Sequence, residues 1–500
     1  MSGNESHTIF DALVFGGVAA MKGIRVRPSF KILSDEQIEM IHEASLSILG
    51  RTGVRFDSEE AKKKLLDAGA ADHATKKGII IFPREMVEDA LKKVPRKCVY
   101  YARDPKHNLV YDGDHMFPYA GGGDPKMIDM DSGQIRPSRL EDVEMAARLG
   151  DALENNHFGA SLVVANDVPI EILIPKTMEA MMKNSVKPIS TYAPDKRTVE
   201  ILVDMCSCVA GGREEFRKRP LLSLASSPSS PLTYGSHNCD VIIRSAELGV
   251  PYSVIPCPIC GETGPITLSG ALAQQNAETL AGIMLIQTVA TDLPMVYCGR
   301  VCFMDPRSGR DLWGVPEEAM VSVALIQLAR RYGMVADSCG MTSDVPRWDL
   351  QIGLERMMTS LVPAMAGAES LSGMGTAWEG ASSLEMMVID NEILNDISRI
   401  MDGIGVDEQR LATDQLDKVG HMGNFLAQRH TMEFLRKGEF RVSPLWDKRT
   451  TERATRDGHK PIQDVARQRA RTILKEHEPE RLDRDVERMI GEVIESATRS

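Results

Sequence analysis

Side chains that could bind or transform a small molecule lie in short polar loops, each directly after a run of apolar residues. The stretch 221–264 shows the arrangement: an apolar run, a Ser/Pro/Gly loop, an amphipathic segment, a second apolar run and a Gly/Pro/Cys loop. This order is typical of a βα repeat unit, in which the loops after parallel strands carry the chemistry. Groups that act together are therefore expected in the corresponding loops along the chain.

The aromatic and acidic residues of these loops favour a cationic ligand. Three of the four tryptophans fall in consecutive loops, and carboxylates accompany them without a matching cluster of lysines. Aromatic faces attract a quaternary ammonium group, which cannot donate a hydrogen bond. The aromatic and acidic residues predicted to bind the substrate are Tyr119, Tyr234, Glu262, Trp313, Asp344, Trp348 and Trp378. The alternative is that the tryptophans cover the mouth of the fold or pack against neighbouring chains.

The cysteines offer a second kind of site, a zinc centre. Cys257 and Cys260 form a C-x-x-C pair after a predicted strand, and Cys298, Cys302 and Cys339 lie near the ends of neighbouring strands. Thiolate-bound zinc could activate a methyl or acyl group for transfer. No second C-x-x-C or H-x-C pair accompanies the first, which favours buried cysteines without metal. The candidates for acid–base catalysis stand alone, without a nearby nucleophile: His237, His421 and His430.

The elements that position these loops are eight short apolar runs alternating with eight helical segments, which predicts an α/β fold with a closed (β/α)8 TIM barrel. The predicted strands are 116–120, 159–165, 188–192, 221–225, 251–255, 294–298, 333–337 and 366–371. The predicted helices are 138–153, 175–183, 196–210, 237–248, 268–290, 316–331, 348–361 and 383–401. A doubly wound open sheet is the alternative, although no glycine-rich nucleotide-binding fingerprint follows any of the strands.

The repeat occupies only the middle of the chain. Residues 1–114 are predicted to form an N-terminal α+β section, with helices that begin near Ser34, Ser58 and Pro83. Residues 115–404 are predicted to form the barrel. Residues 405–500 are predicted to form a C-terminal helical extension, whose last part, from Lys460, is amphipathic with a solvated face of mixed charge.

Charge and composition exclude several classes of protein. The net charge of −12 and the pI near 5.5 argue against nucleic-acid partners and against a basic membrane-binding surface. No apolar run approaches the ~18 residues of a membrane-spanning helix. Asp11 interrupts the apolar stretch 9–18 and no basic region precedes it, so no signal peptide is expected. The nine cysteines indicate reduced thiols, and we expect a cytoplasmic protein that forms homo-oligomers.

Longer motifs resemble the trimethylamine/glycine betaine corrinoid methyltransferase family over nearly the whole chain. They include IHEASLSILGRTGV (41–54), DSGQIRPSRLEDVEMAARLGDAL (131–153), SSPSSPL (226–232), CGETGPITLSGALAQQNAETLAG (260–282) and GNFLAQRHTMEFLRKGEF (423–440). The resemblance implies a (β/α)8 barrel that moves a methyl group from an amine to the Co(I) of a corrinoid (cobalamin). That corrinoid is carried by a separate cognate corrinoid protein, so the chain itself is expected to hold no tightly bound cofactor and no metal.

The resemblance also implies a class of substrate. Trimethylamine members of the family carry pyrrolysine in the barrel mouth, whereas this chain has only standard residues. The chain therefore resembles the non-pyrrolysine branch, whose characterised members demethylate quaternary amines such as betaines. A quaternary nitrogen leaves as a neutral tertiary amine without help from an acid, so no catalytic residue is predicted. Glu262 stands where relatives more often have a small residue, and either a substrate contact or a structural role would explain it.

A betaine also carries a carboxylate, which an arginine can bind through two hydrogen bonds. The candidates are Arg300, Arg307, Arg310 and Arg347, and Arg300 is predicted because it lies nearest a strand end. Two other functions stay open. One is a zinc-thiolate methyltransferase that uses Cys257 and Cys260, and the other is a non-catalytic betaine-binding protein.

Overall fold

The computed structural model describes residues 19–26 and 28–499, without the side chains of residues 498 and 499. The N-terminal stretch 9–18, considered above for a signal peptide, lies outside these residues. The described part before residue 115 combines short helices and strands. They are β1 Ile24–Arg25, α1 Asp35–Ser47, β2 Val54–Phe56, α2 Glu59–Asp67, β3 Ala71–Asp72, β4 Ile79–Ile81, α3 Arg84–Leu91, β5 Cys98–Tyr100 and β6 Leu109–Tyr111. The predicted helices near Ser34, Ser58 and Pro83 are thus present.

Helix α1 shows why these segments fold locally. Ser34 Oγ accepts a hydrogen bond from Gln37 N at 3.3 Å, and Gln37 Oε1 accepts one from Ser34 N at 2.8 Å. This reciprocal pair satisfies backbone donors that a helix otherwise leaves without partners at its first turn.

The strands of the central part all follow residue 114. They are β7 His115–Ala120, β8 Lys126–Ile128, β9 Ile135–Pro137, β10 Gly159–Ala160, β11 Ile189–Thr191, β12 Leu222–Ser226, β13 Thr233–Tyr234, β14 Tyr252–Val254, β15 Ile259–Cys260, β16 Tyr297–Cys298, β17 Cys302–Met304, β18 Asp311–Leu312, β19 Ala336–Cys339, β20 Ser370–Met374 and β21 Ala381–Ser382. Nine strands form one sheet in the order β1-β7-β20-β19-β16-β14-β12-β11-β10. Eight of them are parallel and correspond to the eight predicted strands.

The order of these strands decides between the two predicted architectures. From β10 onward each parallel strand pairs with the next parallel strand along the chain, and β20, the last, pairs with β7, the first. A doubly wound sheet instead reverses its order at a switch point, so that alternative is wrong. The α/β class is confirmed.

The edges of the parallel part of the sheet, β7 and β10, approach each other without a continuous ladder, and β7 pairs instead with the short antiparallel β1. His157 N donates to Pro118 O at 2.9 Å, and Asp124 N donates to Leu162 O at 3.1 Å. Asp124 and Val163 also form an isolated parallel bridge. These contacts join the two edges locally, whereas complete closure into a TIM barrel stays a prediction.

Helices follow the parallel strands as the sequence predicts. They are α4 Leu140–Ala152, α5 Leu173–Asn184, α6 Lys196–Ala210, α7 Arg213–Lys218, α8 Ser236–Leu248, α9 Leu268–Gln287, α10 Pro316–Tyr332, α11 Leu350–Ala366 and α12 Leu384–Asp402. Clear stop and start residues set their ends. Asp195 caps α6 by accepting from Thr198 N at 2.8 Å, and Gly333 ends α10 in the left-handed conformation.

Helix α9 is buried along almost its whole length because the N-terminal section packs over it. Asn276 Nδ2, on α9, donates to Ser45 Oγ at 2.9 Å and to Tyr332 Oη at 2.8 Å. Tyr297 Oη donates to Asn276 Oδ1 at 2.9 Å. The N-terminal helix α1, the helices α9 and α10 and the central sheet therefore share one buried polar network.

The chain after residue 404 contains helices separated by irregular segments. Its helices are α13 Glu408–Leu411, α14 Thr413–Val419, α15 Arg429–Arg436, α16 Thr451–Asp457, α17 Ile462–Glu476 and α18 Arg484–Arg499. Helix α17 packs against α12 and α4, and α18 packs against α6. In the part of the chain that the structure describes, no helix has the length and apolar character needed to cross a bilayer.

Candidate active site

A cavity of about 1060 Å³ opens where the parallel strands of the main sheet end. Seven of the eight strands contribute a wall residue, either from the strand or from the loop directly after it. These residues are Tyr119, Thr191, Ser226, Ile255, Arg300, Cys339 and Ser372. The convergence of the strand ends on one cavity follows from their parallel direction.

A buried ion pair borders this cavity. Arg300 Nη2 pairs with Asp337 Oδ2 and donates to Ser372 Oγ at 2.9 Å. Tyr119 Oη donates to Asp337 Oδ1 at 3.4 Å, and Cys298 Sγ donates to Asp337 Oδ2 at 2.7 Å. Burial raises the pKa of the Cys298 thiol well above its usual value, so the thiol keeps the proton that it donates. The guanidinium of Arg300 is thus already bound by the protein.

Two of the predicted tryptophans, Trp313 and Trp378, line the cavity. Trp348 does not line it, and instead packs edge to face against Trp378, with ring centroids 5.5 Å apart and ring planes at 88°. Such a pair contributes about 0.5–1.5 kcal/mol beyond the burial of its area. Trp348 therefore packs against a residue of the cavity wall and is not itself part of that wall. This position differs from the direct substrate contact predicted for it.

Asp344 lines the cavity and also fixes the loop that carries Trp313. Its two carboxylate oxygens accept hydrogen bonds from Trp313 N at 2.9 and 3.0 Å, and Oδ2 accepts another from Gly314 N at 2.7 Å. Burial raises the pKa of Asp344, and these backbone hydrogen bonds oppose the increase. One residue thus supplies negative charge to the wall and orients an aromatic ring beside it.

The remaining charged groups of the wall are mostly acidic. Asp124, Asp311 and Glu379 line the cavity, whereas Arg310 is the second cation after Arg300. Among the described residues of the lining there is no lysine. The guanidinium of Arg310 makes no ion pair within 4.0 Å of a described carboxylate, unlike that of Arg300.

Two predicted residues lie elsewhere. Tyr234 is fully buried beside the N-terminal section, where its hydroxyl donates to Glu278 O at 2.7 Å and its ring stacks on Phe56 with centroids 5.1 Å apart. Glu262 lies exposed in the turn after β15. Neither lines the cavity, because the loops after β12 and β14 each form a further strand that pairs outside the main sheet. The structure therefore assigns Tyr234 a packing role and places Glu262 at the surface.

Asp337 and Asp124 are site residues that the sequence analysis missed. Asp337 belongs to β19 itself, where an apolar run predicts a core residue. Asp124 follows Gly121-Gly122-Gly123 after β7, and its Oδ2 accepts from Ser382 Oγ at 2.6 Å. Asp124 could have been predicted as a site residue, because it is a carboxylate directly after a glycine-rich strand end. His237, considered above as an isolated acid–base candidate, also lines the cavity.

The cysteine pair does not form the donor set of a zinc site. Burial raises the pKa of Cys257 to about 12 and also raises the pKa of Cys260, so both are protonated thiols in the metal-free protein. Within residues 19–26 and 28–499, the one group of at least three converging potential ligands is Glu39, His42 and Glu43, on α1. The geometry gives the zinc-thiolate hypothesis no support.

Comparison with known proteins gives one family over almost the whole chain. The family model described as "Trimethylamine methyltransferase (MTTB)" matches residues 16–500. The trimethylamine methyltransferase MttB of Methanosarcina thermophila is 31% identical over 479 residues, which are 94% of this chain and 97% of that protein. The glycine betaine methyltransferase of Desulfitobacterium hafniense strain Y51 is 31% identical over 465 residues, covering 92% of this chain and 95% of that protein. Among solved structures, the monomethylamine methyltransferase MtmB of Methanosarcina barkeri is 12% identical with a TM-score of 0.46, covering 94% of this chain and 97% of that one.

Proposed function

The chain belongs to the trimethylamine methyltransferase (MTTB) family and is a methyltransferase, and we propose that it takes a methyl group from a quaternary amine such as glycine betaine. We further propose that the acceptor is the Co(I) of a corrinoid held by a separate protein. The observation that carries the substrate proposal is the wall of the cavity. Trp313 and Trp378 stand beside Asp124, Asp344 and Glu379, and no lysine accompanies them in the described lining.

This wall suits a permanent cation. A quaternary ammonium group offers no hydrogen-bond donor, so its affinity comes from aromatic faces and from nearby negative charge. Asp344 holds the loop of Trp313 in place and contributes negative charge. Trp348 packs against Trp378 and supports the position of its ring. The curated relatives do not decide between trimethylamine and glycine betaine, because each is 31% identical to this chain. The absence of pyrrolysine and the character of the wall support the quaternary amine.

The chain's own residues would bind and orient the donor. When the corrinoid of the partner is present, it supplies a strong nucleophile for the methyl carbon. The bond between this carbon and nitrogen breaks, and its electron pair stays on nitrogen, so the amine leaves neutral and no proton has to be supplied. The residues of the wall therefore need only exclude water, hold the cation and point one methyl group toward the opening.

The carboxylate of a betaine is better matched by Arg310 than by Arg300. Arg300 is 8% exposed and bound to Asp337 and Ser372, so a substrate could recruit it only by breaking a buried ion pair. Arg310 lines the cavity with its guanidinium free of any ion pair to a described carboxylate. It lies three residues before Trp313, so one loop presents a cation and an aromatic ring to the same ligand. We assign the carboxylate contact to Arg310.

The opening of the cavity suits a docking partner. Its volume of about 1060 Å³ leaves room beyond a small amine for a group that enters from outside. Leu350 and Leu354 are exposed one turn apart at the start of α11, just after the loop of Asp344, and Tyr192, which is also exposed, lines the cavity wall after β11. We propose that the corrinoid protein binds this apolar rim.

We also propose that the curled sheet closes completely into a (β/α)8 barrel. A reducing cytoplasm is the expected compartment, since Co(I) and the chain's nine cysteines both require one.

Anaerobic turnover tests this function. The protein would be mixed with cob(I)alamin, and then with its cognate corrinoid protein, in the presence of glycine betaine, choline, tetramethylammonium or trimethylamine. The corrin absorbance and the demethylated amine would be followed together. We expect one quaternary amine to lose a methyl group while trimethylamine stays unchanged. Turnover of trimethylamine alone would contradict the substrate proposal. Betaine binding seen by tryptophan fluorescence, without demethylation even with the partner, would instead identify a binding protein.

A further inference from the structure

The segment 404–442 carries an unusual concentration of exposed apolar side chains. Eleven of the twenty-one large apolar residues that are exposed in the described chain fall within it. Leu426 is 78% exposed, Phe440 is 68% exposed, and Met422 is completely exposed. Single exposed apolar residues are ordinary, whereas the largest apolar patch on a typical monomer covers about 300–600 Å² and is often functional. The eleven large side chains, each more than a third exposed, make this segment the main concentration of exposed apolar residues in the described chain.

The segment cannot cover these side chains by itself. Its helices α13, α14 and α15 have 4, 7 and 8 residues, and among their residues only Phe434 is buried. Isolated helices of this length are not stable in water. Arg410 and Lys437 place their charges over the ring of Phe434, at 5.4 and 4.8 Å from its centroid, which stabilises one small internal cluster. The eleven exposed apolar side chains of the segment are each at least 37% exposed and stay outside this cluster.

Polar contacts nevertheless fix the segment to the rest of the protein. Arg441 forms ion pairs with Glu392 and Asp396 on α12, and Arg399 Nη2 donates to Glu439 O at 3.1 Å. The C-terminal end of the segment is therefore held against α12.

The charge of the segment indicates which partner could cover its exposed apolar side chains. Residues 404–442 contain six acidic and six basic residues, although the chain as a whole carries −12. Two copies of the chain repel each other over most of their surfaces, but not over this neutral segment. An interface of standard size buries about 800 Å² per partner, which eleven exposed large apolar side chains can supply.

The position of the segment also separates it from the active site. None of its described residues lines the cavity at the strand ends. On the function proposed above, the corrinoid protein binds at the rim of that cavity, which leaves this segment for another partner. We propose that residues 404–442 form the interface between two copies of this chain, in which the same apolar surface of each protomer covers that of the other.

Sedimentation velocity and light scattering of the full chain test the proposal at about 1–50 μM, the range in which a micromolar dimer dissociates. The Leu426→Asp/Phe440→Asp double variant places charge in the centre of the proposed interface and should weaken association by at least about 100-fold. Met40→Asp, at an equally exposed apolar position on α1, is the matched control and should assemble like the wild type. Circular dichroism should show unchanged secondary structure in all three proteins, because the substituted side chains are exposed in the protomer.

A monomeric wild type over the whole concentration range would overturn the proposal, as would a double variant that still assembles normally. If the charged variant does not fold, the association of the milder Leu426→Ser/Phe440→Ser variant is measured instead. Binding of the cognate corrinoid protein should be equal for wild type and variant. Its loss in the variant, with assembly unchanged, would show that the corrinoid protein covers this segment instead, and would also overturn the proposal.

Discussion

Glu318 should make the stability of this protein depend on pH in a predictable direction. The residue lies in the first turn of α10 and is only 3% exposed. Its Oε1 accepts a hydrogen bond from Ser322 Oγ at 3.0 Å, whereas Oε2 has no hydrogen-bond partner among the described residues. Burial raises the pKa of Glu318 from 4.5 to about 8, because the charged form loses its hydration.

The sign of the effect follows from proton binding. Between pH 4.5 and about 8 the folded protein keeps the proton on Glu318, while the unfolded chain releases it. The folded state binds more protons in this window, so the free energy of unfolding falls as the pH rises. At about 1.4 kcal/mol per pKa unit, the loss across the window is on the order of 4–5 kcal/mol.

The substitution Glu318→Gln removes this titration. Relative to wild type, the variant should gain on the order of 4–5 kcal/mol between pH 4.5 and pH 8, whatever its stability at the lower pH. The entropy of unfolding of a 500-residue chain is roughly 1 kcal/mol per degree, so the difference in Tm should shift by about 4–5 °C in favour of the variant.

Thermal unfolding at matched scan rate, followed by circular dichroism at pH 4.5, 6 and 8, measures this shift. Glu317→Gln is the control, since Glu317 is the exposed neighbour on the same helical turn. A constant difference in Tm between wild type and Glu318→Gln at all three pH values would refute the argument. The same shift in Glu317→Gln would refute it too, because the effect would then not come from burial.

Three further predictions concern the cavity. Trp378→Ala should raise the dissociation constant for a quaternary amine about 10-fold or more in a fluorescence titration, because it removes an aromatic face. Trp348→Ala should raise the dissociation constant less. An equal or larger effect of Trp348→Ala would contradict the assignment of Trp378, rather than Trp348, to the cavity wall. Arg310→Gln should weaken binding of glycine betaine about 10-fold in calorimetry while leaving tetramethylammonium unchanged. Arg307→Gln is its control, because Arg307 pairs with Asp305 outside the lining, and equal losses for both ligands would remove Arg310 as the carboxylate contact. Asp344→Asn should weaken the binding of glycine betaine and of tetramethylammonium alike, because it removes a negative charge and loosens the loop of Trp313. Unchanged affinity for tetramethylammonium would show that the charge of Asp344 does not contribute to cation binding.

The repeating part of the fold could be predicted because local signals and tertiary structure agree there. The predicted helix 196–210 coincides with α6, where Asp195 provides the cap and Gly211 the left-handed end. The eight predicted strands are present in the predicted order, with boundaries that differ by a few residues. The additional strands β13, β15 and β17 were not predicted, since two or three residues rich in Cys, Thr and Tyr give no detectable alternation.

The location of the site could be predicted better than its members. The rule that loops after parallel strands carry the chemistry correctly places Tyr119, Arg300, Trp313, Asp344 and Trp378 in the lining, although their substrate contacts stay a prediction. The rule does not state which way a loop turns, so Tyr234 and Glu262 were included on the same grounds. The sequence also did not reveal that Arg300 is paired within the protein. Its partner Asp337 lies within a strand, and a single sequence does not show that the two side chains meet.

The buried network around α9 has a consequence for synthesis of the chain. Ser45 and Asn276, which hydrogen-bond in the folded protein, are 231 residues apart. Translation proceeds at about 5–20 residues per second, so helix α1 leaves the ribosome roughly 10–50 s before its binding surface exists. During this interval the apolar face of α1, with Ile38, Ile41 and Leu46, has no native partner on α9 to cover it. Production of this protein should therefore depend on chaperones that bind nascent chains, and slower translation should lower the yield of folded protein.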